Sequence, residues 1–174
     1  MEAQRIYNVL FLCTGNSARS VMAECAMNRW GKGKFKALSA GSQPSGRVHP
    51  MAVELLERLN YETSGLRSKS WNEFAQAGSA DLDFVFTVCD NAAGEVCPVW
   101  PGQPITAHWG VADPVIFQSD DEARRRFFLR IYTELENRIK IFTSLRIDSL
   151  DRFALERHAR QIGGVQLEDE KSDR

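Results

Sequence analysis

The sequence predicts an α/β fold: a single domain built on a four-stranded parallel sheet with helices on both faces. Two observations carry this prediction. Short apolar runs of the kind buried parallel strands need alternate with segments whose apolar residues recur at helical spacing. The candidate chemical groups also follow such runs, and a parallel sheet gathers its strands' carboxyl ends on one edge, where ligands bind.

Ile6 to Leu12 (IYNVLFL) is the first strand, followed by a Gly/Asn/Ser loop. A helix is predicted from Ala18 to Trp30, with Val21, Met22, Cys25 and Ala26 on one face and Gly31 as its stop. Phe35 to Ala40 is the second strand, ended by Gly41. His49-Pro50 opens a helix carrying Ala52, Leu55, Leu56 and Leu59 at helical spacing. Ser70-Trp71-Asn72-Glu73 reads as a capping box before a short helix. Leu82 to Val88 and Ile105 to Trp109 are the third and fourth strands. A long helix over 121–142 has Phe128, Ile131, Leu135, Ile139 and Phe142 as its apolar stripe, and a further helix is expected over 150–161. The nearly all-charged end, LEDEKSDR, predicts a frayed terminus. The reading is one domain over 1–145, then a helical extension and charged tail over 146–174, with no internal repeat.

The chain has 174 residues, 43% hydrophobic and 26% charged, with a net charge of −1. That is ordinary globular composition, with no basic field to attract nucleic acid or anionic lipid. No run approaches the roughly 18 apolar residues of a membrane span, and Met1-Glu2-Ala3-Gln4-Arg5 does not lead into a signal-peptide pattern. The expectation is a cytoplasmic monomer. In that reducing compartment Cys13, Cys25, Cys89 and Cys97 are thiols with chemical or packing roles rather than staples. With no CxxC pair and three scattered histidines, no metal site is expected. Cys25, mid-helix on the apolar face, reads as core.

Cys13-Thr14-Gly15-Asn16-Ser17-Ala18-Arg19-Ser20 lies between a predicted strand and a predicted helix. Such a loop turns the backbone N–H groups of Thr14 to Ser20 toward an oxyanion and puts a helix N-terminus behind it. Arg19 adds a bidentate fork. The same field is expected to lower the Cys13 thiol pKa, Gly15 to permit the tight backbone path, and Ser20 to hydrogen-bond the sulfur. Cys89 ends the third strand and Asp113, in an Asp-Pro pair, follows the fourth.

The segment LFLCTGNSARSVMAE resembles the low-molecular-weight protein tyrosine phosphatase superfamily. With SAGS (39–42), VHP (48–50), GLRSKSW (65–71), TVCDNAAGEVCP (87–98) and HWGVADP (108–114), the chain is similar to its arsenate reductase branch over roughly residues 6 to 145. The resemblance implies that Cys13 is the nucleophile and Asp113 the general acid. Some relatives bind potassium beside the loop through Asn, Glu, Ser and Asp. Asn16, Glu24 and Ser39 match three of these, but Lys69 holds the fourth position, which argues against such a site here. Val115-Ile116 stand where tyrosine phosphatases carry aromatic residues, and Ala18 where the branch often has a further cysteine. His49, His108, Trp71 and Trp109 are expected to be structural, His158 to be exposed, and Arg124-Arg125-Arg126 to be a solvated face.

A phosphatase needs one thiolate and one acid. Arsenate has the shape and charge of phosphate, but arsenic(V) can accept two electrons, and thiols can supply them by ending as a disulfide. The expected scheme is thiolate attack by Cys13, attack of Cys89 on Cys13 with release of arsenite, and transfer of the disulfide to Cys97. No cofactor is bound. The oxidation leaves through an external thiol reductant, thioredoxin or alternatively glutathione with glutaredoxin, and phosphate or sulfate would mimic the substrate. A phosphotyrosine phosphatase is the other reading. In it Cys89 and Cys97 serve only to pack a strand end and a loop.

Overall fold

The computed structural model describes residues 5–76, 78–79, 81–89, 100 and 102–165. Strands β1 (Tyr7–Cys13), β2 (Phe35–Gly41), β3 (Phe84–Thr87) and β4 (Ile105–His108) form one sheet in the order β2-β1-β3-β4. All three strand pairings are parallel. β1 is central, and Val9 to Cys13 are all buried. That is why its sequence runs apolar rather than alternating: both faces are covered. Val9, Phe11 and Cys13 join the larger core, while Leu10 and Leu12 join a smaller one on the opposite face.

The larger core packs helices α1 (Arg19–Trp30), α2 (Pro50–Arg58), α4 (Asp121–Thr143) and α5 (Arg152–Gly163) against that face. The predicted stripe of α4 is buried in full, from Phe128 to Phe142. Beneath it lies an aromatic stack, in which the rings of Phe86 and Trp109 are 3.9 Å apart at 11° and Phe142 meets both edge-on. The opposite face is covered by the short α3 (Asn72–Ala75), with Trp71, Phe74 and Trp100 over Leu10, Leu12 and Val85. No helix among the described residues is long and apolar enough to cross a membrane.

Several expectations are corrected. The capping box does not form. Trp71 is the cap residue of α3, Ser70 Oγ accepts from the N–H of Asn72, and the Glu73 carboxylate is taken by a two-bond pair with Arg67. β3 is shorter than 82–88, although the bond from Val88 N–H to Leu12 O at 2.8 Å carries the alignment on to its end. The last helix starts at Arg152, because Asp151 caps it by accepting from the N–H of Ala154. His158 is half-buried rather than exposed. Cutting Phe86 back to alanine should cost about 3–5 kcal/mol of stability by removing the centre of the aromatic stack. Urea unfolding monitored by tryptophan fluorescence measures it.

Candidate active site

The chain crosses from β1 to β2 on one side and returns to β3 on the other, so the connections diverge at the carboxyl end of β1. Such a switch point opens a crevice. Cys13 is the last residue of β1, 3% exposed, and residues 14–18 loop from it into the N-terminus of α1. The cap position, Ala18, offers no side-chain acceptor and the first turn holds no acidic residue. The positive end of α1 therefore remains available to a ligand. A cavity of about 290 Å³ faces it, lined by Cys13, Thr14, Gly15, Ser17, Ala18, Arg19, Asp113 and Val115.

The loop is held from beneath by buried Asn16. Its side-chain amide donates to Ser20 Oγ at 2.8 Å and Ser39 Oγ at 3.0 Å, and its oxygen accepts from Lys69 N–H at 2.9 Å. The N–H of Asn16 donates to Cys13 Sγ at 3.2 Å, and Ser20 Oγ lies 2.8 Å from the same sulfur. Ser20 Oγ thus joins the Asn16 amide to the Cys13 sulfur. Neighbouring segments hold the loop's carbonyls: Thr14 O takes Gln43 N–H, Gly15 O takes Ser45 N–H and the Ser68 hydroxyl, and Ser17 O takes His49 N–H.

Two details differ from expectation. Asn16, not Gly15, takes the left-handed turn, at φ 46°. The glycine that the packing requires is Gly41, opposite Cys13 in β2, where a Cβ would collide with the carbonyl of Thr14. The thiol is also not lowered. Burial pushes the Cys13 pKa up, against the opposing pull of the Ser20 hydrogen bonds and the Arg19 charge, and nearby Cys89 raises it further. Desolvation of an almost fully enclosed sulfur outweighs the cations around it.

Arg19, Cys89 and Asp113 converge as expected. Arg19 Nη2 lies 3.3 Å from Asp113 Oδ2, and Nη1 donates to Val111 O at 3.2 Å. Asp113 Oδ1 accepts from Val115 N–H at 2.9 Å, which fixes the carboxylate at the cavity wall. Cys89 is buried as a thiol, with Sγ 3.6 Å from Thr14 Oγ1. Thr14 thus touches the second thiol, a contact no sequence pattern announces. Cys25 is buried, its pKa pushed up to about 12 mainly by desolvation, as suits a core thiol. Cys97 lies outside the described residues.

Lys69 was placed by sequence beside Asn16, Glu24 and Ser39, and the structure puts it there. Its Nζ is 3.5 Å from Ser39 Oγ, 3.2 Å from Arg67 O and 4.0 Å from Glu24 Oε1. Burial pushes Glu24 up and Lys69 down, and each is restrained by the other's charge. Among the described residues no cluster of His, Cys, Asp or Glu is fit to hold a metal ion. His49 caps α2, its Nδ1 accepting from Met51 N–H at 3.1 Å, and His108 Nδ1 bonds Thr87 Oγ1 at 2.8 Å. Both are structural, as expected.

Residues 8–153 match the model of the low molecular weight phosphotyrosine protein phosphatase family. The chain belongs to this family. Its relatives within the family include the arsenate reductase of Bacillus subtilis (strain 168), 35% identical over 146 residues, covering 82% of this chain and 96% of the relative. The arsenate reductase of Halalkalibacterium halodurans is 37% identical over 138 residues, covering 77% and 93%. Among solved structures, an arsenate reductase from Archaeoglobus fulgidus superposes with a TM-score of 0.60 at 30% identity, covering 79% of this chain and 99% of that one. A thioredoxin-dependent arsenate reductase from Corynebacterium glutamicum gives 0.57 at 25% identity, covering 80% of this chain and 61% of that one. A family phosphatase from T. tengcongensis gives 0.58 at 27% identity, covering 80% and 99%, so this fold serves both activities. By its relatives the chain falls in the arsenate reductase branch of the family.

Alkylation of Cys13 by iodoacetamide should keep accelerating as the pH rises past neutrality, because the raised thiol is mostly protonated there. Ser20→Ala should move the profile to still higher pH by removing the hydroxyl's hydrogen bond, which lowers it, while the backbone bond of residue 20 remains. Replacing Lys69 by methionine should cost about 3–5 kcal/mol by leaving Glu24 buried without its partner. Denaturant unfolding tests this, and an unchanged midpoint would refute it.

Proposed function

We propose that this chain reduces arsenate to arsenite by a thiol relay and serves arsenic detoxification in the cytoplasm. The carrying observation is that two buried thiols, Cys13 and Cys89, meet at one oxyanion loop, with Thr14 bridging from the loop to Cys89 Sγ at 3.6 Å. Hydrolysis of a phosphoester calls on one thiolate and one acid, and gives the second thiol no part in the reaction itself.

In the first step the loop N–H groups and Arg19 hold the oxyanion, and Cys13 sulfur attacks arsenic. The arsenic–oxygen bond breaks, and the leaving oxygen departs as water with the proton lost by the thiol. Asp113, on the cavity wall, is the group suited to pass that proton. Burial holds the Cys13 thiol up, against the pull of Ser20 and of the Arg19 charge. In the second step Cys89 attacks Cys13 sulfur. The sulfur–arsenic bond breaks, its electron pair stays on arsenic, the proton that Cys89 loses passes to an oxygen of the departing group, and arsenite is released. Two thiols have been oxidised to one disulfide, and arsenic(V) has gained two electrons. Cys97 then attacks Cys89, freeing Cys13, and the dithiol of thioredoxin reduces the resulting disulfide. The thioredoxin dependence named for the Corynebacterium relative supports this last partner.

Arsenate-dependent NADPH oxidation tests the scheme, with thioredoxin and thioredoxin reductase compared against glutathione, glutaredoxin and glutathione reductase. Turnover is expected with the thioredoxin supply and should be abolished in Cys13→Ser, Cys89→Ala and Cys97→Ala. Turnover only with glutathione and glutaredoxin would keep the reductase and demote Cys97. Hydrolysis of an aryl phosphate without arsenate reduction would refute it. Asp113→Asn should lower kcat about tenfold to a hundredfold, the modest end for a general acid, since arsenate already carries an easily lost hydroxyl.

A further inference from the structure

The family match ends at residue 153, so nearly all of α5 lies beyond it. This helix is nonetheless built into the catalytic layer. It lies along β4 and is tied to it at both ends. At the start, Arg152 Nη2 donates to Gln103 O at 2.8 Å, just before β4. Towards the end, the indole N–H of Trp109 donates to Ala159 O at 2.9 Å, a buried bond just after β4. Along the helix Leu155, Ala159 and Ile162 are buried in the larger core, which also takes Ile105, Ala107 and Trp109 from β4 and the residue after it. Gly163 sits so close to the carbonyl of His108 that any Cβ would collide with it.

The far end of α5 also reaches the acid loop through α4. Arg138, 3% exposed, donates to Trp109 O at 3.0 Å, Gly110 O at 3.1 Å and, through Nε, Val165 O at 2.9 Å. One buried guanidinium is thus received by three carbonyls, and the extension supplies one of them. The next residue, Val111, donates to Val88 O at 3.0 Å and accepts from Arg19 at 3.2 Å. Asp113 lies two positions further on.

We propose that α5 is a positioning element for catalysis: through Trp109, Gly163 and Arg138 it fixes the segment from Trp109 to Asp113 against Arg19. The inference rests on the acid role given above to Asp113. A helix that only added stability would change the amount of folded enzyme but not the turnover of each folded molecule. A positioning helix changes the second quantity, because small displacements of catalytic groups are costly.

Two variants of the full chain test it. Gly163→Ala forces the end of α5 off His108, and Trp109→Phe removes the indole bond to Ala159 while keeping a ring on Phe86. The readout is kcat per reactive Cys13, counted as the thiol that phosphate protects from iodoacetamide, so unfolded protein drops out. Both variants should lose on the order of threefold to tenfold in kcat per thiol. Phe153→Ala, 76% exposed on the outer face of the same helix, should lose nothing. Gly163→Ala should add no further loss in an Asp113→Asn background, since both act on the same step. Full turnover per thiol in both Gly163→Ala and Trp109→Phe, with Asp113→Asn impaired, overturns the positioning role alone. Full turnover in Asp113→Asn itself refutes the acid role, and the route argued here falls with it.

Discussion

The loop after β1 closes around one buried amide, that of Asn16, which serves three elements at once. It donates to Ser20 in α1 and to Ser39 in β2, and accepts from the backbone of Lys69. Its own N–H meets the Cys13 sulfur, and its backbone is left-handed. Asparagine is among the few residues that tolerate that conformation. Glycine would relieve the backbone but forfeit all three side-chain bonds. Aspartate would keep the acceptor, lose both donors and bring a negative charge towards the sulfur. The geometry of the nucleophile, the start of α1 and the register of the segment at Lys69 therefore all depend on this one side chain.

Charge is arranged in two layers around that loop. Below it, the Lys69 ammonium lies against Ser39 and Glu24, enclosed and paired. Above it, Arg19 faces the cavity, engaged by Asp113 and a carbonyl. A chain with a net charge of −1 has no general field for an oxyanion, so attraction must come from Arg19, the loop N–H groups and the end of α1 acting at contact range.

Much of this was legible in the sequence because the fold's demands are written in local pattern. The apolar run of β1, the stripe of α4 and the Cys-to-Arg spacing across a strand–helix junction need no tertiary information. What was not legible depends on distant partners. Gly15 reads as the residue that permits the tight loop path, whereas the packing demand falls on Gly41, which only the pairing of β2 with β1 reveals. The Ser70–Glu73 capping pattern lost Glu73 to Arg67, whose two bonds to the carboxylate outcompete a single backbone bond. The thiol shift was misjudged because sequence shows the cations near Cys13 but not how little water remains around it. The residues from Asp90 to Val99, Cys97 among them, lie outside the described part of the chain.

The fold alone does not choose between hydrolysis and reduction, since reductases and phosphatases superpose on this chain about equally well. The choice rests on what stands beside the nucleophile. A phosphatase intermediate must be reached by water, so the space next to the sulfur should admit and orient one. A reductase intermediate must be reached by sulfur, and water there is a competitor that returns arsenate without transferring electrons. Here a buried thiol, Cys89, lies within contact of the loop, at the end of the strand that neighbours β1. On the relay proposed above, that thiol is the group placed to attack the Cys13 adduct.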